Sequence, residues 1–317
     1  MARRVTQRDI ARMTGVSQTL VSFVLNGRDD DPRLKIAPET RERVRRAIEA
    51  TGYVADPVAR RLAERRNRIL GVFTYEPVFP SSARDFYHPF LVGIERRAEE
   101  LDIDLLLLTS GRRQVLQRLR LADGAILLGR SLDRAELTSL VRSGPPFVSV
   151  GRRDDAGGPV PYVGADYASA TAAVVRRAVG LGHTRLAYLG AGQGAEAWTD
   201  RWRGFTAGLE GTGATAVRLG TPDAVRAAGV TAVVCEEAAD GPAVHAVAPH
   251  LSVITLGEPT RAADPAGVVF TGIEIPREEM GAQAVDVLAA LVEGRPAQLQ
   301  RLLPCTVIEG ETLHVNR

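Results

Sequence analysis

Apolar positions in the N-terminal part of the chain repeat at helical spacing and are separated by glycines. Thr6 can cap a first helix that Gly15 ends, and Ser17 can cap a second helix. Pro38 stands at the start of a third apolar stripe, which Gly52 ends. The pattern predicts three short helices with sharp turns between them and no strand.

From residue 69 onward, short apolar runs alternate with helical patterns. The predicted strands are Ile69–Thr74, Ile103–Leu108, Ala125–Leu128, Phe147–Val150, Leu186–Leu189, Ala232–Cys235 and Val253–Leu256. The predicted helices are Arg84–Leu101, Arg134–Arg142, Tyr167–Gly180, Trp202–Leu209 and Arg277–Leu291. This alternation is typical of an α/β fold with parallel sheets covered on both faces. The 249 residues from 69 to 317 exceed what one open sheet comfortably holds, so two sheets are expected.

Residues 56–68, between these two parts, have the pattern of a helix of barely two turns. Asp56 followed by Pro57 is a typical helix start. So short a helix is unstable alone in water because its nucleation is costly. We therefore expect it to form only against a partner.

The formal net charge of +2 is the sum of two oppositely charged parts. Residues 1–68 hold 15 arginines, one lysine and nine acidic residues, which gives +7, and the remainder carries −5. A basic part joined to an acidic remainder indicates a polyanionic partner for the basic part.

Composition and motifs argue against several classes of protein. No apolar run approaches the roughly 18 residues of a membrane helix, and the N-terminus lacks the apolar core of a signal peptide, so a cytoplasmic location is expected. Cys235 and Cys305 form no metal-ligand or redox motif. Because the chain also has no phosphate loop, nucleophile elbow or paired-histidine motif, we expect no enzyme activity, no metal and no cofactor.

Helix, glycine-containing turn and helix at this spacing make up the helix-turn-helix plan, whose second helix enters the major groove of DNA. With its apolar stripe inward, the second helix exposes Ser17, Gln18, Thr19 and Ser22, and Asn26 stands at its end. Glutamine can pair bidentately with adenine, and serine or threonine can bond bases or phosphates. Spacing alone leaves a generic three-helix bundle with a solvated basic face as the alternative.

Longer strings of residues resemble the N-terminal signature of the lactose-repressor/galactose-repressor family. The matching strings are Val5–Ala11, Gly15–Gly27, Pro38–Val44, Gly52-Tyr53 and Pro57–Ala63. The resemblance implies an operator-binding head at residues 1–55 and a hinge helix at 56–68 that folds on operator binding.

The resemblance also assigns DNA-contacting roles to individual residues. The backbone-contacting positions of the family correspond to Thr6, Ser17, Ser22 and Asn26, and its base-reading positions correspond to Gln18 and Thr19. The same predicted surface includes Gln7, Phe23, Ala59, Arg60 and Leu62. Leu62 matches the leucine that wedges between the central base pairs from the minor groove, with helix packing as the alternative.

Two features of the N-terminal part depart from the family pattern. Phe23 stands where the family usually carries arginine, which predicts an altered operator preference through an apolar contact with a thymine methyl. The stretch 27–36 contains Asp29-Asp30-Asp31 and is longer and more acidic than the usual link. Nothing in the sequence explains it.

The resemblance continues more weakly beyond residue 68, where the family is similar to periplasmic sugar-binding proteins. It implies two doubly wound lobes with a small-molecule effector in the cleft between them. The first lobe is expected at about 69–160 and 276–297, and the second at about 161–275 and 298–317.

Six residues are the candidates for contact with the effector: Phe86, Tyr87, Asp166, Arg201, Glu237 and Glu258. Arg201 aligns with an arginine that grips effector hydroxyls or a carboxylate, and a surface arginine is the alternative. Phe86 and Tyr87 can equally pack in the core, and Asp166 can equally cap the following helix. His183 is expected to be structural.

Two further departures concern the effector. Glu236-Glu237 stands where the family usually has Asn-Asp, and residues 255–258 differ from its Gly-Tyr-Asp-Asp. Both family motifs grip hydroxyls in sugar-responsive members. We therefore expect an effector that is not an ordinary hexose, or a pocket that uses Glu237 and Glu258 instead.

These features together predict a transcription regulator, a repressor, built from a helix-turn-helix head and a two-lobed α/β core. The expected partners are double-stranded DNA with a pseudo-palindromic operator, a small-molecule effector such as a sugar or sugar derivative, and a second copy of the chain. We expect a cytoplasmic homodimer that is nucleoid-associated when bound to DNA and has no membrane partner. A solute-binding receptor without DNA-dependent regulation is the alternative.

Overall fold

The computed structural model describes residues 5–25, 36–53, 67–74, 86–109, 118–119, 121–129, 132–257 and 267–316. The chain divides into two compact units, residues 1–67 and residues 68–317, and each is described by itself.

The N-terminal unit consists, over its described residues, of the helices α1 (Gln7–Thr14), α2 (Gln18–Leu25) and α3 (Pro38–Thr51). Thr6 caps α1: its Oγ1 accepts from the amide of Asp9, whose carboxylate accepts from the amide of Thr6. Gly15 ends α1 with a left-handed φ of 67°. The three helices and these end signals are confirmed. The apolar stripes meet in a small core formed by Ile10, Ala11, Val21, Val24 and Val44.

The described strands of the C-terminal unit form two sheets. In spatial order, the first sheet comprises β11 (Gln300–Pro304), β5 (Tyr162–Asp166), β4 (Phe147–Val150), β3 (Gly124–Leu128), β1 (Ile69–Thr74) and β2 (Asp104–Thr109). The second comprises β12 (Thr306–Ile308), β10 (Thr271–Glu274), β9 (Ser252–Thr255), β8 (Ala232–Cys235), β6 (Arg185–Leu189) and β7 (Thr215–Leu219). Neighbouring strands are parallel except β10 and β12, which are antiparallel. The predicted fold of doubly wound α/β lobes is confirmed.

Helices cover both sheets and enclose a buried core in each lobe. The described helices are α4 (His88–Glu100), α5 (Arg134–Ser143), α6 (Tyr167–Gly180), α7 (Glu196–Leu209), α8 (Asp240–Val247), α9 (Arg277–Glu293) and a 3₁₀ helix at Pro222–Ala227. In the first lobe α4 packs against α9, and in the second α6 packs against α7. The α4–α9 crossing is close because Gly93 and Gly281 present no side chain: a Cβ on either would overlap the backbone of the opposite helix.

The described chain crosses between the lobes at three places: β5 to α6, β10 to α9, and β11 to β12. At two of these crossings, the expected boundary between the lobes was wrong by one strand. Residues 161–166 and 298–304 were assigned to the second lobe, but β5 and β11 pair with each other in the first sheet. At the first crossing the strand passes directly into a helix at Asp166-Tyr167, without the glycine or proline that marks most element ends.

Candidate functional site

The N-terminal unit presents polar side chains at the start of α2. Gln18 and Thr19 are exposed there, and the Oγ of Ser17 accepts from the amide of Leu20 (3.2 Å), as a helix cap does. The Nε2 of Gln18 donates to the Oε1 of Gln7 in α1 (3.2 Å). Gln7 therefore orients the amide of Gln18 and leaves the Gln18 carbonyl oxygen and one N–H available to another molecule.

The other predicted DNA-contacting residues differ in their surroundings. The Thr6 hydroxyl donates to Asp9 Oδ2 (2.7 Å) and belongs to the α1 cap. Ser22 and Phe23 are half-buried. Four predicted residues lie outside the described residues: Asn26, Ala59, Arg60 and Leu62.

A cavity of about 650 Å³ lies between the two lobes of the C-terminal unit. Phe86, Tyr87 and Leu128 line it from the first lobe, and Trp198 and Arg201 line it from the second. The volume lies within the range of small-molecule sites, and the walls combine aromatic rings with charged groups. The arrangement can hold a small molecule against both lobes at once.

Phe86 and Tyr87 line the cavity and also belong to the apolar core of the first lobe. Their position is therefore compatible with both interpretations of the sequence, contact with an effector and packing in the core. Their rings meet edge to face with centroids 5.2 Å apart. Arg277 fixes this corner: its Nη1 donates to the Phe86 carbonyl (2.9 Å), and its guanidinium lies 5.3 Å from the centre of the Phe86 ring.

Arg201 is a buried cation in the cavity wall, which excludes the surface interpretation. Its side chain is 8% exposed, and its Nη1 lies 3.9 Å from Glu237 Oε1. Its guanidinium stacks 4.3 Å from the ring centre of Tyr167, and its Nε has no hydrogen-bond partner among the described residues. A buried donor without an acceptor is costly.

Trp198 is a cavity residue that sequence reasoning missed. It stands three positions before Arg201 in α7, and its Nε1 donates to Glu237 Oε1 (2.8 Å). The available signal was helical spacing, because residues i and i+3 share one face of a helix. Trp198, Arg201 and Glu237 together form the polar wall of the second lobe.

The structure places two other residues away from the cavity, Asp166 and His183. Asp166 does not line the cavity: its Oδ1 accepts from the amide of Ser169 (3.0 Å), so it caps α6. His183 is structural, as expected, because its ring nitrogens contact the Thr231 hydroxyl (2.8 Å) and the His314 carbonyl (2.9 Å). Glu258 lies outside the described residues.

Glu236 is buried behind the cavity and is held by three donors. Its carboxylate accepts from the Tyr188 hydroxyl (2.9 Å) and from the amides of Ala191 (2.7 Å) and Gly192 (3.1 Å). Burial, the Glu236 charge and this hydrogen bond raise the pKa of Tyr188. Glu236 therefore anchors the loop before α7, whereas its neighbour Glu237 faces the cavity.

The described ranges contain no group of three or more His, Cys, Asp or Glu side chains placed to hold a metal ion. None of their helices is both long and apolar enough to cross a membrane.

Two family models match the chain. One, "Bacterial regulatory proteins, lacI family", matches residues 6–56, and the other, "Periplasmic binding proteins and sugar binding domain of LacI family", matches residues 77–257. The chain belongs to the LacI family of bacterial regulatory proteins, which confirms the resemblance found in the sequence.

Two named relatives match more than half of the chain. The HTH-type transcriptional regulator CelR of Thermobifida fusca is 31% identical over 67% of this chain and 63% of its own length. Catabolite control protein A of Priestia megaterium is 29% identical over 58% of this chain and 54% of its own. The chain thus spans between about half and two thirds of these relatives.

Among solved structures, the lac repressor dimer bound to operator and the anti-inducer ONPF superposes with a TM-score of 0.77 at 20% identity, covering 98% of this chain and 100% of that one. The CelR–cellobiose complex superposes with a TM-score of 0.62 at 26% identity and the same two coverages. The first likeness concerns the fold alone.

Proposed function

We propose that the chain is a sequence-specific DNA-binding transcription regulator, a repressor, whose operator affinity is modulated by a small molecule in the cleft of the core. The observation that carries the proposal is the combination, in one chain, of a helix-turn-helix head with exposed Gln18 and Thr19 and an inter-lobe cavity with an unsatisfied Arg201. We assign residues 1–55 to the head, 56–68 to the hinge and 69–317 to the effector-binding and dimerisation core.

The DNA side of the proposal follows from charge and hydrogen-bonding chemistry. The positively charged head attracts phosphates, and binding should weaken steeply with added salt. Gln18, oriented by Gln7, offers the acceptor and donor that read adenine in the major groove. Two copies of the chain would present two heads to a pseudo-palindromic operator, with the leucines at position 62 wedged at its centre.

The effector side rests on the cavity and on the relatives. CelR has been solved with cellobiose, and another relative is named sucrose operon repressor, so a sugar or sugar derivative is the ligand class we propose. Arg201 would donate to ligand oxygens, and Phe86 and Trp198 would contact apolar ring faces. Because Glu237 stands where sugar-responsive members usually carry other residues, we propose that the effector is not an ordinary hexose.

Selection of bound duplexes from a random DNA library, using the full chain, tests the DNA-binding function. We expect an enriched pseudo-palindrome whose preferred bases change in Gln18→Ala. Gln298, an exposed residue of the C-terminal unit, supplies a matched control. Gln298→Ala should keep the same preferred bases as the parent chain. Failure to enrich any sequence would refute the proposal and favour the alternative, a solute-binding receptor without DNA-dependent regulation.

Calorimetric titration with a broad panel of sugars and sugar derivatives tests the effector. We expect Arg201→Gln to abolish the binding of whichever compound binds the parent chain, while Arg226→Gln, on the 3₁₀ helix, leaves it unchanged. Tight binding of a simple hexose would contradict the proposed ligand class. The chain is proposed to act in the cytoplasm by binding rather than by catalysis.

A further inference from the structure

A short loop of the first lobe reaches across the cleft to the second lobe. It begins directly after β4, where the amide of Gly151 donates to the Val163 carbonyl (2.8 Å). Gly151 has a φ of 99°, a conformation that residues with a Cβ rarely adopt. This turn sends Arg152 and Arg153 toward α7.

Arg152 forms a nearly buried ion pair between the lobes. Its Nε donates to Asp200 Oδ2 (2.6 Å), and the two side chains are 19% and 3% exposed. Its Nη1 donates to Asp154 Oδ1 (2.6 Å). Burial by itself would lower the pKa of Arg152, but these hydrogen bonds and charges outweigh it and raise the pKa. The guanidinium is thus charged and held by a carboxylate of the opposite lobe.

Arg153 makes a second inter-lobe pair one helical turn away. Its Nη1 donates to Glu196 Oε2 (3.2 Å), and its Nη2 donates to the Gly129 carbonyl (2.5 Å). The other oxygen of Glu196 accepts from the amide of Asp154 (3.2 Å). Glu196 therefore binds both a side chain and the backbone of the loop.

The two acids stand at positions i and i+4 of α7, so they share the helix face that the loop meets. Arg153 and Glu196 line the cavity, whereas Asp200 lies beneath its wall. A buried ion pair is costly to break by loss of one partner. Asp200 would keep Arg203 of its own helix (3.1 Å) and Arg152 would keep Asp154 of its own loop (2.6 Å), but both of those partners are largely exposed to solvent. The geometry therefore favours the lobes together over the lobes apart.

We propose that Arg152 and Arg153 of the first lobe and Glu196 and Asp200 of the second form an inter-lobe clasp that holds the cleft closed without an effector. That the clasp regulates an effector site rests on the proposed function. That it holds the two lobes together does not. Arg153 and Glu196 belong both to the clasp and to the cavity wall, so separation of the lobes would reshape the effector site.

The distance between the lobes in the full chain, without DNA or effector, tests the clasp. Spin labels at Glu99→Cys in α4 and Glu210→Cys after α7, with Cys305→Ser, report that distance by double electron–electron resonance. The labelled chain is diluted with unlabelled chain, so that each distance lies within one molecule. We expect E196Q/D200N to move the main distance to longer values by more than about 2 Å, the scale of domain rearrangements.

The matched control is D286N/E309Q, which makes the same chemical change at ion pairs within single lobes. Asp286 pairs with Arg97 (2.8 Å), and Glu309 pairs with Arg177 (2.7 Å). The control should leave the distance unchanged. If E196Q/D200N does not fold cooperatively, E196Q alone can be used. It removes the Arg153–Glu196 pair and should broaden the distance distribution toward longer values.

An unchanged distance in the folded E196Q/D200N or E196Q chain would overturn the clasp, as would an equal shift in the control. Neither result bears on DNA selection or ligand titration. Conversely, a chain that selects no DNA sequence can still show the clasp. The failures of the two proposals are therefore distinguishable.

Discussion

The loop that precedes α7 should depend on the buried carboxylate of Glu236. Replacing Glu236 with glutamine keeps the shape of the side chain but turns one acceptor oxygen into an N–H donor. That donor then faces a backbone amide of the loop, which is itself a donor. The change also removes the negative charge that strengthens the hydrogen bond from the fully buried Tyr188.

The magnitude follows from the three hydrogen bonds. A hydrogen bond to a charged group contributes about 1.5–3 kcal/mol, and a buried donor left without an acceptor costs about 1–3 kcal/mol. Glu236→Gln should therefore lower the free energy of unfolding of the core by about 3 kcal/mol. Tyr188→Phe removes one donor and leaves the amide bonds in place, so it should cost about 2 kcal/mol.

Urea unfolding of the full chain, followed by signals from the core, measures both changes and their coupling. Because Glu236→Gln weakens the hydrogen bond that Tyr188→Phe removes, the double variant should cost about 1–2 kcal/mol less than the sum of the single changes. Glu237→Gln is the control, since that carboxylate is 40% exposed. A cost below about 1 kcal/mol for Glu236→Gln, or strict additivity with Tyr188→Phe, would refute the assigned role.

Three further changes should have measurable effects. Gly281→Ala should destabilise the core by about 2 kcal/mol or more, because its Cβ overlaps the Phe90 carbonyl, whereas Gly180→Ala meets nothing and should be harmless in the same urea assay. Burial lowers the pKa of His183 from 6.5, against an opposing hydrogen bond, so core stability should be full above pH 6.5 and fall as the pH drops toward the lowered pKa. His183→Gln should reduce this loss of stability at low pH. A pH profile of unfolding identical to that of the parent chain would contradict the prediction. Thr6→Ala should cost α1 about 1 kcal/mol, seen as faster hydrogen exchange of the α1 amides in the full chain; unchanged exchange would show that the cap contributes little.

The helices of the head and the alternation of strands and helices in the core were predictable because the sequence signals that mark them are local. Capping residues, glycines with a left-handed φ and apolar stripes act within one or two turns, so Thr6, Gly15 and Pro38 marked helix ends correctly. Most predicted strands of the core are apolar runs buried on both faces, such as Phe147–Val150, whereas β2 exposes Leu105 and Leu107 at the edge of its sheet. They appear in the structure at almost the predicted bounds.

The strands β5, β7, β10, β11 and β12 were not predicted, and β7 and β11 lack that local signal. β7 is exposed along most of its length at the edge of its sheet. β11 has the sequence Gln-Arg-Leu-Leu-Pro, which is neither an alternating pattern nor a continuous apolar run, and it pairs with β5, which lies far away in the chain. Their pairing is set by contacts that are distant in sequence.

The candidate effector residues show the same limit. Arg201 was found by resemblance, but the pairing of Arg152 with Asp200 depends on how two lobes meet, which no spacing along the chain encodes. Trp198 was accessible from spacing once Arg201 had been chosen.

Helix α7 carries on adjoining positions the arginine that lines the cavity and the two acids that join the lobes. If the two proposals hold, ligand preference and the resting position of the lobes are not separable traits in this chain. A substitution that adapts Arg201 or Trp198 to a new compound moves a helix on which Glu196 and Asp200 must keep their register with the opposite lobe. Redesign of the effector response should therefore vary α7 and the Gly151–Asp154 loop together, because altering either alone changes how readily the protein switches as well as what it recognises.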